Sequence, residues 1–307
     1  MGKMNRRTFL ASAAAAVPLM AGPSPAPPPA SERKLKIGHT AITWNTFPRN
    51  AETMATLGTA VHDMAKLGYW SFETFPEILE DWDSRGALRK LIDENNIPLK
   101  SGYCGTILTD PSKRKESVAK VIRLGKMIQK YGGTFAVIAP NGVKRAEYNY
   151  KEYRSSIIEG LNEHAKALAD LGLGTGLHQH TGTCIESRDE VYDVMHSADT
   201  KYLKFAPDVG QLQKGGADAA QVIEDFLPLV KHMHLKDYLG GEHWAGYCPL
   251  GQGKVDLVRV LDLVEKGGQQ PNIMVELDSS PNQPIPALEC ATISKKFLEK
   301  QGYKFRS

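Results

Sequence analysis

KHMHLKDY, which runs from Lys231 to Tyr238, places two histidines, two lysines and an aspartate around Met233 and Leu235. With the two-residue period of a β-strand, His232, His234 and Lys236 point to one side, and the methionine and leucine point to the other. A strand that faces solvent normally carries mixed polar residues, whereas two imidazoles in register indicate a lined cavity. The stretch therefore predicts a strand with one apolar face and one reactive face.

Short runs of the same kind recur along the chain. The eight candidate strands are Leu35 to Thr40, Tyr69 to Phe75, Ile97 to Tyr103, Thr134 to Ala139, Gly172 to Thr181, Tyr202 to Asp208, Val230 to Asp237 and Ile273 to Asp278. Amphipathic stretches with helical spacing lie between most of them, for example 117–131 and 153–171. Regular alternation of strand and helix favours parallel βαβ units, and eight units favour closure into a (β/α)8 TIM barrel.

Length and charge narrow the class of protein. At 307 residues the chain is within the range that an α/β barrel reaches as one domain, and no linker divides residues 31–307. Lys+Arg total 38 and Asp+Glu total 35, and the net charge of +3 is too small to indicate a nucleic-acid partner. We therefore expect a small-molecule ligand. The sequence leaves the oligomeric state open, and a homo-oligomer is one of the alternatives.

Residues 1–30 predict an export signal followed by a Pro-rich linker. Asn5 to Leu10 reads NRRTFL, an apolar run continues to Met20, and prolines crowd residues 22–30. The paired arginines resemble the twin-arginine signal, whose export machinery carries folded proteins. The apolar run is shorter than the roughly 20 residues that span a bilayer, which argues against an uncleaved anchor. We therefore expect a periplasmic or otherwise exported protein.

The cysteines carry little information about function. Cys104, Cys184, Cys248 and Cys290 are scattered without C-x-x-C spacing, so they predict neither a zinc knuckle nor a dense disulfide framework. Export would permit a disulfide, but the spacing does not select a pair.

Polar side chains gather where the late candidate strands end. They are His178 and His180, then Asp208, then His232, His234 and Lys236, and finally Glu276 and Asp278. In a barrel, these ends meet at the rim that carries function. A divalent metal needs three or four nitrogen or oxygen donors that converge, and neighbouring strand ends can supply them. The predicted metal ligands are His178, Asp208, His234 and Glu276.

Each predicted ligand also has an ordinary structural explanation. A single histidine on a strand is more often hydrogen-bonded than metal-bound, Asp208 could cap a turn, and Glu276 could pair with an internal lysine. However, burying carboxylates and imidazoles together without a counter-charge is costly, and a metal supplies that charge. The metal interpretation is therefore favoured.

Several segments resemble the xylose isomerase-like TIM-barrel superfamily. They are LHQHTGT (177–183), APDVGQLQKGGAD (206–218), HMHLKD (232–237), PLGQGKVD (249–256) and VELD (275–278). This superfamily includes sugar epimerases, inosose dehydratases and endonuclease IV, and the H-x-H-x-G-T pattern is most similar to inosose dehydratase-like proteins. The resemblance implies one divalent ion, Mn²⁺, Co²⁺, Zn²⁺ or Mg²⁺. It also implies ligand roles for Asp208, His234 and Glu276.

Two positions depart from the pattern of the superfamily. His178 occupies the fifth-strand position where many epimerases carry a glutamate that is both ligand and acid/base, which argues against a two-glutamate mechanism. Gln211 occupies a position where many relatives carry histidine, and its amide could hydrogen-bond a sugar hydroxyl.

The expected chemistry is proton abstraction next to a carbonyl, through an enediolate. Glu276 is the candidate base, and the candidate acids are His180, His232 and Lys236, although Lys236 could instead be a fixed charge paired with Asp237 or Asp278. Loss of a β-substituent would give dehydration, whereas reprotonation would give isomerisation or epimerisation. The candidate substrate-binding residues are Gln211, Glu73, Trp44 and Trp244.

No phosphate-binding glycine motif is evident, so we expect a non-phosphorylated keto-sugar, cyclitol or glycoside. Two other functions compete with this sugar lyase or isomerase. A phosphodiesterase similar to endonuclease IV would need more histidine ligands and a basic surface. A non-catalytic carbohydrate-binding barrel would need no ligand set, and the chain retains candidate ligands at four strand ends.

Overall fold

Eight short parallel strands line the interior of the fold in the computed structural model, which describes residues 33–47, 49–279 and 283–307. The strands are β1 (Ile37–Thr40), β2 (Phe72–Thr74), β3 (Leu99–Gly105), β4 (Phe135–Ala139), β5 (Gly174–Leu177), β6 (Lys204–Phe205), β7 (His232–Leu235) and β8 (Asn272–Val275). Each lies within or overlaps one of the eight predicted runs. The prediction of eight strands is therefore confirmed, although most of them are shorter than the apolar runs that indicated them.

The strands form a nearly closed barrel in the order β6-β5-β4-β3-β2-β1-β8-β7. Backbone hydrogen bonds join the two ends of this order, since the Lys231 N–H donates to the Phe205 carbonyl (3.1 Å) and the His234 N–H donates to the Pro207 carbonyl (2.9 Å). The predicted single-domain TIM barrel is confirmed. Representative parallel pairs are Ile37 with Ile273, Phe135 with Gly174 and Met274 with His234.

Helices connect successive barrel strands around the outside. They are α1 (Ala51–Ala55), α2 (Leu57–Lys66), α3 (Pro76–Ser84), α4 (Leu88–Asn95), α5 (Arg114–Lys130), α6 (Tyr150–Asp170), α7 (Arg188–Ser197), α8 (Val209–Lys214), α9 (Ala219–Asp225), α10 (Leu257–Lys266) and α11 (Ala287–Lys300). Short 3-10 helices lie at Ala41–Trp44, Pro111–Lys113, Arg145–Glu147, Leu227–Leu229 and His243–Gly246. The segment between β7 and α10 also contains an antiparallel hairpin, which pairs Asp237–Tyr238 with Tyr247–Cys248.

The alternation predicted for β7 places its two faces in different environments. Met233 and Leu235 pack in the apolar core that includes the inner faces of the helices. His232, His234 and Lys236 are completely buried as well, although they are polar. Buried polar groups require hydrogen-bond or charge partners, so the partners of these three side chains must lie inside the barrel.

The four cysteines are free thiols and all are buried. Burial raises the pKa of Cys290 to about 11 and that of Cys248 to about 12. These thiols are therefore protonated at neutral pH.

Within the described parts of the chain, no helix is long and apolar enough to cross a membrane. The predicted export signal at residues 1–30 lies outside the described residues.

The helices α2 and α3 end in the same glycine motif, which gives a matched test of the packing. At the end of α2, the Gly68 N–H donates to the Ala65 carbonyl and the Tyr69 N–H to the Met64 carbonyl; Gly86 ends α3 in the same way. Both glycines have positive φ, +80° and +67°. A Cβ on Gly68 would lie 2.2 Å from the Arg306 carbonyl oxygen, whereas a Cβ on Gly86 would meet no atom within 4 Å.

We expect Gly86→Ala to lower the free energy of unfolding by about 1–2 kcal/mol, the cost of a left-handed alanine. Gly68→Ala should cost clearly more, because it must also displace the C-terminal segment at Arg306. Urea denaturation of both variants measures the difference. Equal losses would show that the C-terminal segment does not pack on α2 as described.

Candidate metal centre and active-site cavity

The carboxyl ends of β5 to β8 bring the four predicted ligands together. His178 directly follows β5, Asp208 begins α8 after β6, His234 lies within β7, and Glu276 directly follows β8. All four are buried, with exposed fractions of 0% for the first three and 7% for Glu276. The candidate ligand atoms of His178, Asp208 and His234 lie within 4.8 Å of one another. Glu276 Oε2 lies 3.2 Å from His234 Nδ1, so it joins the same group.

The donor set fits a divalent metal. His178 Nδ1 lies 3.2 Å from the Ala206 carbonyl oxygen, to which it donates, and within the described residues its buried Nε2 has no hydrogen-bond partner. Asp208 Oδ1 accepts the Gln211 N–H (2.9 Å) as the N-cap of α8, and Oδ2 takes no part in this cap. Two imidazole nitrogens with two carboxylates are ligands that Zn²⁺, Mn²⁺ and Co²⁺ accept. These residues would hold such an ion.

Lys236 lies among three of the carboxylates at the strand ends. Its Nζ is 2.9 Å from Asp208 Oδ2, 2.7 Å from Glu276 Oε1 and 2.9 Å from Asp278 Oδ1. Burial alone would lower the pKa of Lys236, but the three carboxylates raise it well above its ordinary value. The lysine is therefore a fixed positive charge. Gly210 makes room for it, because a Cβ there would lie 2.8 Å from Lys236 Cγ.

The same charges keep Glu276 ionised. Burial alone would raise the pKa of Glu276, yet His234 and Lys236 hold it well below its ordinary value. Glu276 is therefore a carboxylate at neutral pH, able to bind a cation or accept a proton.

Glu73 reaches the site from β2. Its side chain is 2% exposed, Oε1 lies 2.7 Å from His234 Nε2, and Oε2 lies 3.0 Å from His232 Nε2. The Ser101 hydroxyl donates to Oε2 at 2.5 Å. Glu73 was predicted to bind substrate; it lines the cavity beside the candidate metal centre, and both of its oxygens also contact protein side chains.

A cavity of about 560 Å³ opens above these residues. Ile42, Phe47, Phe75 and Tyr103 form an apolar part of its wall, and the polar part includes His180, Glu276 and Asp278. A volume of this order accommodates a small ligand, and the combination of an apolar wall with a few polar groups is typical of a small-molecule site. The predicted small-molecule ligand therefore has a place to bind next to the candidate metal centre.

Three other predicted site residues lie away from the cavity. Trp44 is buried, with its indole N–H donating to Asp63 (2.8 Å), and Trp244 packs in a small cluster with Tyr247 and Leu277. Gln211 is completely buried behind His180, and its amide oxygen accepts from the backbone and hydroxyl of Thr181. The cavity wall includes none of these three side chains among the described residues. Their contact with substrate stays a prediction.

The two remaining candidate acids also lie outside the cavity wall formed by the described residues. His232 is completely buried and stacks on Phe135, with ring centroids 5.0 Å apart. Lys236 is enclosed by carboxylates. His180 lines the cavity, so among the candidate acids it is the one within reach of a molecule that would bind there.

Asn141 and Phe47 line the cavity but were not predicted as site residues. Asn141 lies just past the end of β4, so the strand-end argument applied to β4 would have found it. Phe47 lies in the segment after β1, where no periodic pattern marks it.

Asp237, the aspartate of the HLKD sequence, has a separate structural role. Asp237 Oδ2 accepts backbone N–H groups of Gly251 (3.0 Å) and Gly253 (2.8 Å), and Oδ1 accepts that of Val255 (3.2 Å). A Cβ on Gly253 would lie 2.1 Å from Asp237 Oδ1, so this contact requires glycine. The PLGQGKVD segment is therefore a loop folded around one buried carboxylate.

The fold and the site define a TIM-barrel protein with a candidate metal centre at the carboxyl rim. The sequence matches the family described as xylose isomerase-like TIM barrel over residues 61–300, and the chain belongs to this family. It is 21% identical over 296 residues to an inosose dehydratase from Clostridium botulinum (strain Alaska E43 / Type E3), with 88% of this chain and 98% of the relative covered.

Solved structures share the fold. A 3-keto-D-glucoside 4-epimerase from E. coli is 16% identical with a TM-score of 0.66, covering 87% of this chain and 99% of its own. The IOLI protein, solved with a bound zinc atom, is 16% identical with a TM-score of 0.68, covering 89% of this chain and 100% of its own. Two of these relatives are named for an activity, and both are enzymes: one is a dehydratase and the other is an epimerase.

Removal of the Lys236 charge should destabilise the metal-free protein. We expect Lys236→Met to cost about 3–5 kcal/mol of unfolding free energy, because it leaves buried carboxylates without their counter-charge. Added Zn²⁺ should recover part of this loss, since the ion would supply positive charge at the same carboxylates. Thermal unfolding with and without Zn²⁺ measures both effects.

Lys214→Met is the matched control, since Lys214 Nζ donates to the Ala245 carbonyl (2.8 Å) at the edge of the site. Its loss of stability should be smaller and independent of Zn²⁺. If both variants behaved alike, the three-carboxylate arrangement around Lys236 would be wrong.

Proposed function

We propose that this protein is a divalent-metal-dependent lyase of the dehydratase type, or an isomerase, that acts on a non-phosphorylated keto-sugar, cyclitol or glycoside. The observation that carries the proposal is the buried group of His178, Asp208, His234 and Glu276 beside a cavity of about 560 Å³. The unpartnered Nε2 of His178 within the described residues is the strongest single sign of an absent ligand.

A divalent ion bound there would polarise a substrate ketone and stabilise the enediolate that forms when the adjacent proton is lost. Glu276 is the proposed base, because it lines the cavity and is held in its ionised form by His234 and Lys236. The cavity wall excludes bulk water on its apolar side, where Phe75 and Tyr103 pack edge to face at 5.4 Å.

His180 is the proposed proton carrier for the departing or reprotonated oxygen. Its Nδ1 lies 2.7 Å from the Thr181 carbonyl oxygen, and the Gln211 amide nitrogen lies 2.7 Å from its Nε2. Because the Gln211 amide oxygen accepts from Thr181, the amide N–H donates to Nε2, and the ring carries its proton on Nδ1. Both ring nitrogens are therefore hydrogen-bonded, and proton transfer through Nε2 would require the contact with Gln211 to break.

Two further observations support the proposal. The inosose dehydratase from Clostridium botulinum aligns with 88% of this chain, and its name describes dehydration of a keto-cyclitol. The zinc atom of the IOLI protein favours a metal in this fold. The keto-glucoside epimerase keeps the isomerase alternative open, because both outcomes start from removal of the same proton. We also propose export through the twin-arginine route, from the signal at residues 1–30.

The first test is the metal content of the purified protein. We expect about one divalent ion per chain in the wild type, and its loss from His234→Ala and Glu276→Gln, each of which removes one donor. His62→Ala, which changes an exposed histidine on α2, should keep the ion. Elemental analysis of the four proteins gives the result.

The second test is chemistry. Inososes and keto-sugars incubated with the wild type in D₂O should exchange their α-proton or lose water, as followed by NMR, and Glu276→Gln should be at least about 100-fold slower. Absence of a metal after incubation with Mn²⁺, Co²⁺ and Zn²⁺ would contradict the proposed function. It would favour a carbohydrate-binding barrel.

A further inference from the structure

Glu73 contacts β7 across the barrel interior. It lies on β2, and β1 and β8 separate β2 from β7 in the order of strands. The contact with His234 therefore does not come from neighbouring strands but from side chains that meet inside the barrel. Phe72, the preceding residue, packs in the apolar core, so the alternation of β2 directs Glu73 inward.

Three side chains contact the Glu73 carboxylate. Oε1 is 2.7 Å from His234 Nε2, while Oε2 is 3.0 Å from His232 Nε2 and accepts the Ser101 hydroxyl at 2.5 Å. A carboxylate that is 2% exposed and held from three directions is fixed in place.

This contact determines which nitrogen of His234 remains available. An imidazole that binds a metal is neutral, with an N–H on one ring nitrogen and a lone pair on the other. Because Nε2 lies 2.7 Å from Glu73 Oε1, Nε2 keeps its N–H, and Nδ1 is the nitrogen that a metal ion would bind. Nδ1 is the atom that faces Glu276, on the side of the candidate metal ligands.

We propose that Glu73 is a positioning residue that holds His234 with Nε2–H toward β2 and Nδ1 toward the metal centre. This inference rests on the proposed function. A carboxylate behind a metal-bound imidazole fixes the ring orientation and strengthens the nitrogen as a ligand. Ser101 and His232 in turn hold Glu73, so the ligand is supported by a chain of buried contacts that begins on β3.

The test compares Glu73→Met with Glu73→Gln. Methionine fills a similar volume but accepts no hydrogen bond from His234, so we expect Zn²⁺ affinity to fall about 10- to 100-fold. Glutamine keeps an acceptor oxygen without the charge, so the loss should be smaller. Competition with a chromophoric chelator measures the Zn²⁺ affinity of each protein without any substrate.

A second readout follows the imidazole directly. Metal-free protein labelled with ¹⁵N-histidine should show a hydrogen-bonded His234 Nε2–H in the wild type and in Glu73→Gln, assigned by comparison with His234→Ala. In Glu73→Met this hydrogen-bonded Nε2–H signal should be lost. Glu77→Met is the control, since Glu77 lies on α3 and pairs with Lys120 (3.2 Å) outside the barrel; it should change neither readout.

The outcomes separate the two proposals. Wild-type Zn²⁺ affinity in both Glu73 variants, or an unchanged Nε2–H signal in Glu73→Met, would overturn the role of Glu73. If Glu73→Met does not fold, wild-type affinity in Glu73→Gln overturns it. A wild type that binds no Zn²⁺ would overturn the proposed function, and the Nε2–H signal in the metal-free protein would still decide whether Glu73 positions His234.

Discussion

The ion pairs of Lys236 hold the carboxyl rim of the barrel together. Its Nζ lies within 2.9 Å of carboxylate oxygens of Asp208, Glu276 and Asp278, and the lysine is completely buried. Carboxylates buried this closely would repel one another and deprive each other of solvent, so their positions depend on that ammonium group. The same arrangement joins the ends of β6, β7 and β8, where the barrel closes with few backbone hydrogen bonds.

The residues of the HMHLKD stretch have different structural roles. On the inner face, His232 packs against Phe135 and Glu73, His234 lies between Glu73 and Glu276, and Lys236 pairs with the rim carboxylates. The next residue points the other way, and its carboxylate holds the loop around Gly253. This six-residue stretch thus supplies a contact that supports Glu73, a candidate metal ligand, a counter-charge for the rim carboxylates and a carboxylate that holds a loop.

Periodicity predicted the parts that depend on local sequence. The inward alternation of β7 and the apolar runs of all eight strands were visible, because burial on one face leaves a two-residue pattern. The meeting of Glu73 with His234 was not, since it depends on the order of strands around the barrel, which places β2 three strands from β7. Trp44 was assigned to the substrate as an aromatic residue near a strand end, and Gln211 from its position in the family pattern; both lie in short helices after strands, and their burial depends on tertiary packing that the sequence pattern does not show.

His234 and Glu276 each have a buried charged partner on the side away from the other: Glu73 behind the histidine, and Lys236 beside the carboxylate. Both side chains are therefore oriented without an ion, and a metal that binds between them need not pay for ordering them. Because Lys236 shares Asp208 and Glu276 with the proposed ion, the two positive charges compete for these carboxylates. Asp278, which is not among the proposed ligands, lies 2.9 Å from the same ammonium and offers it a remaining partner. The acidic residue beyond the proposed ligand set would thus allow a metal and a buried lysine to coexist.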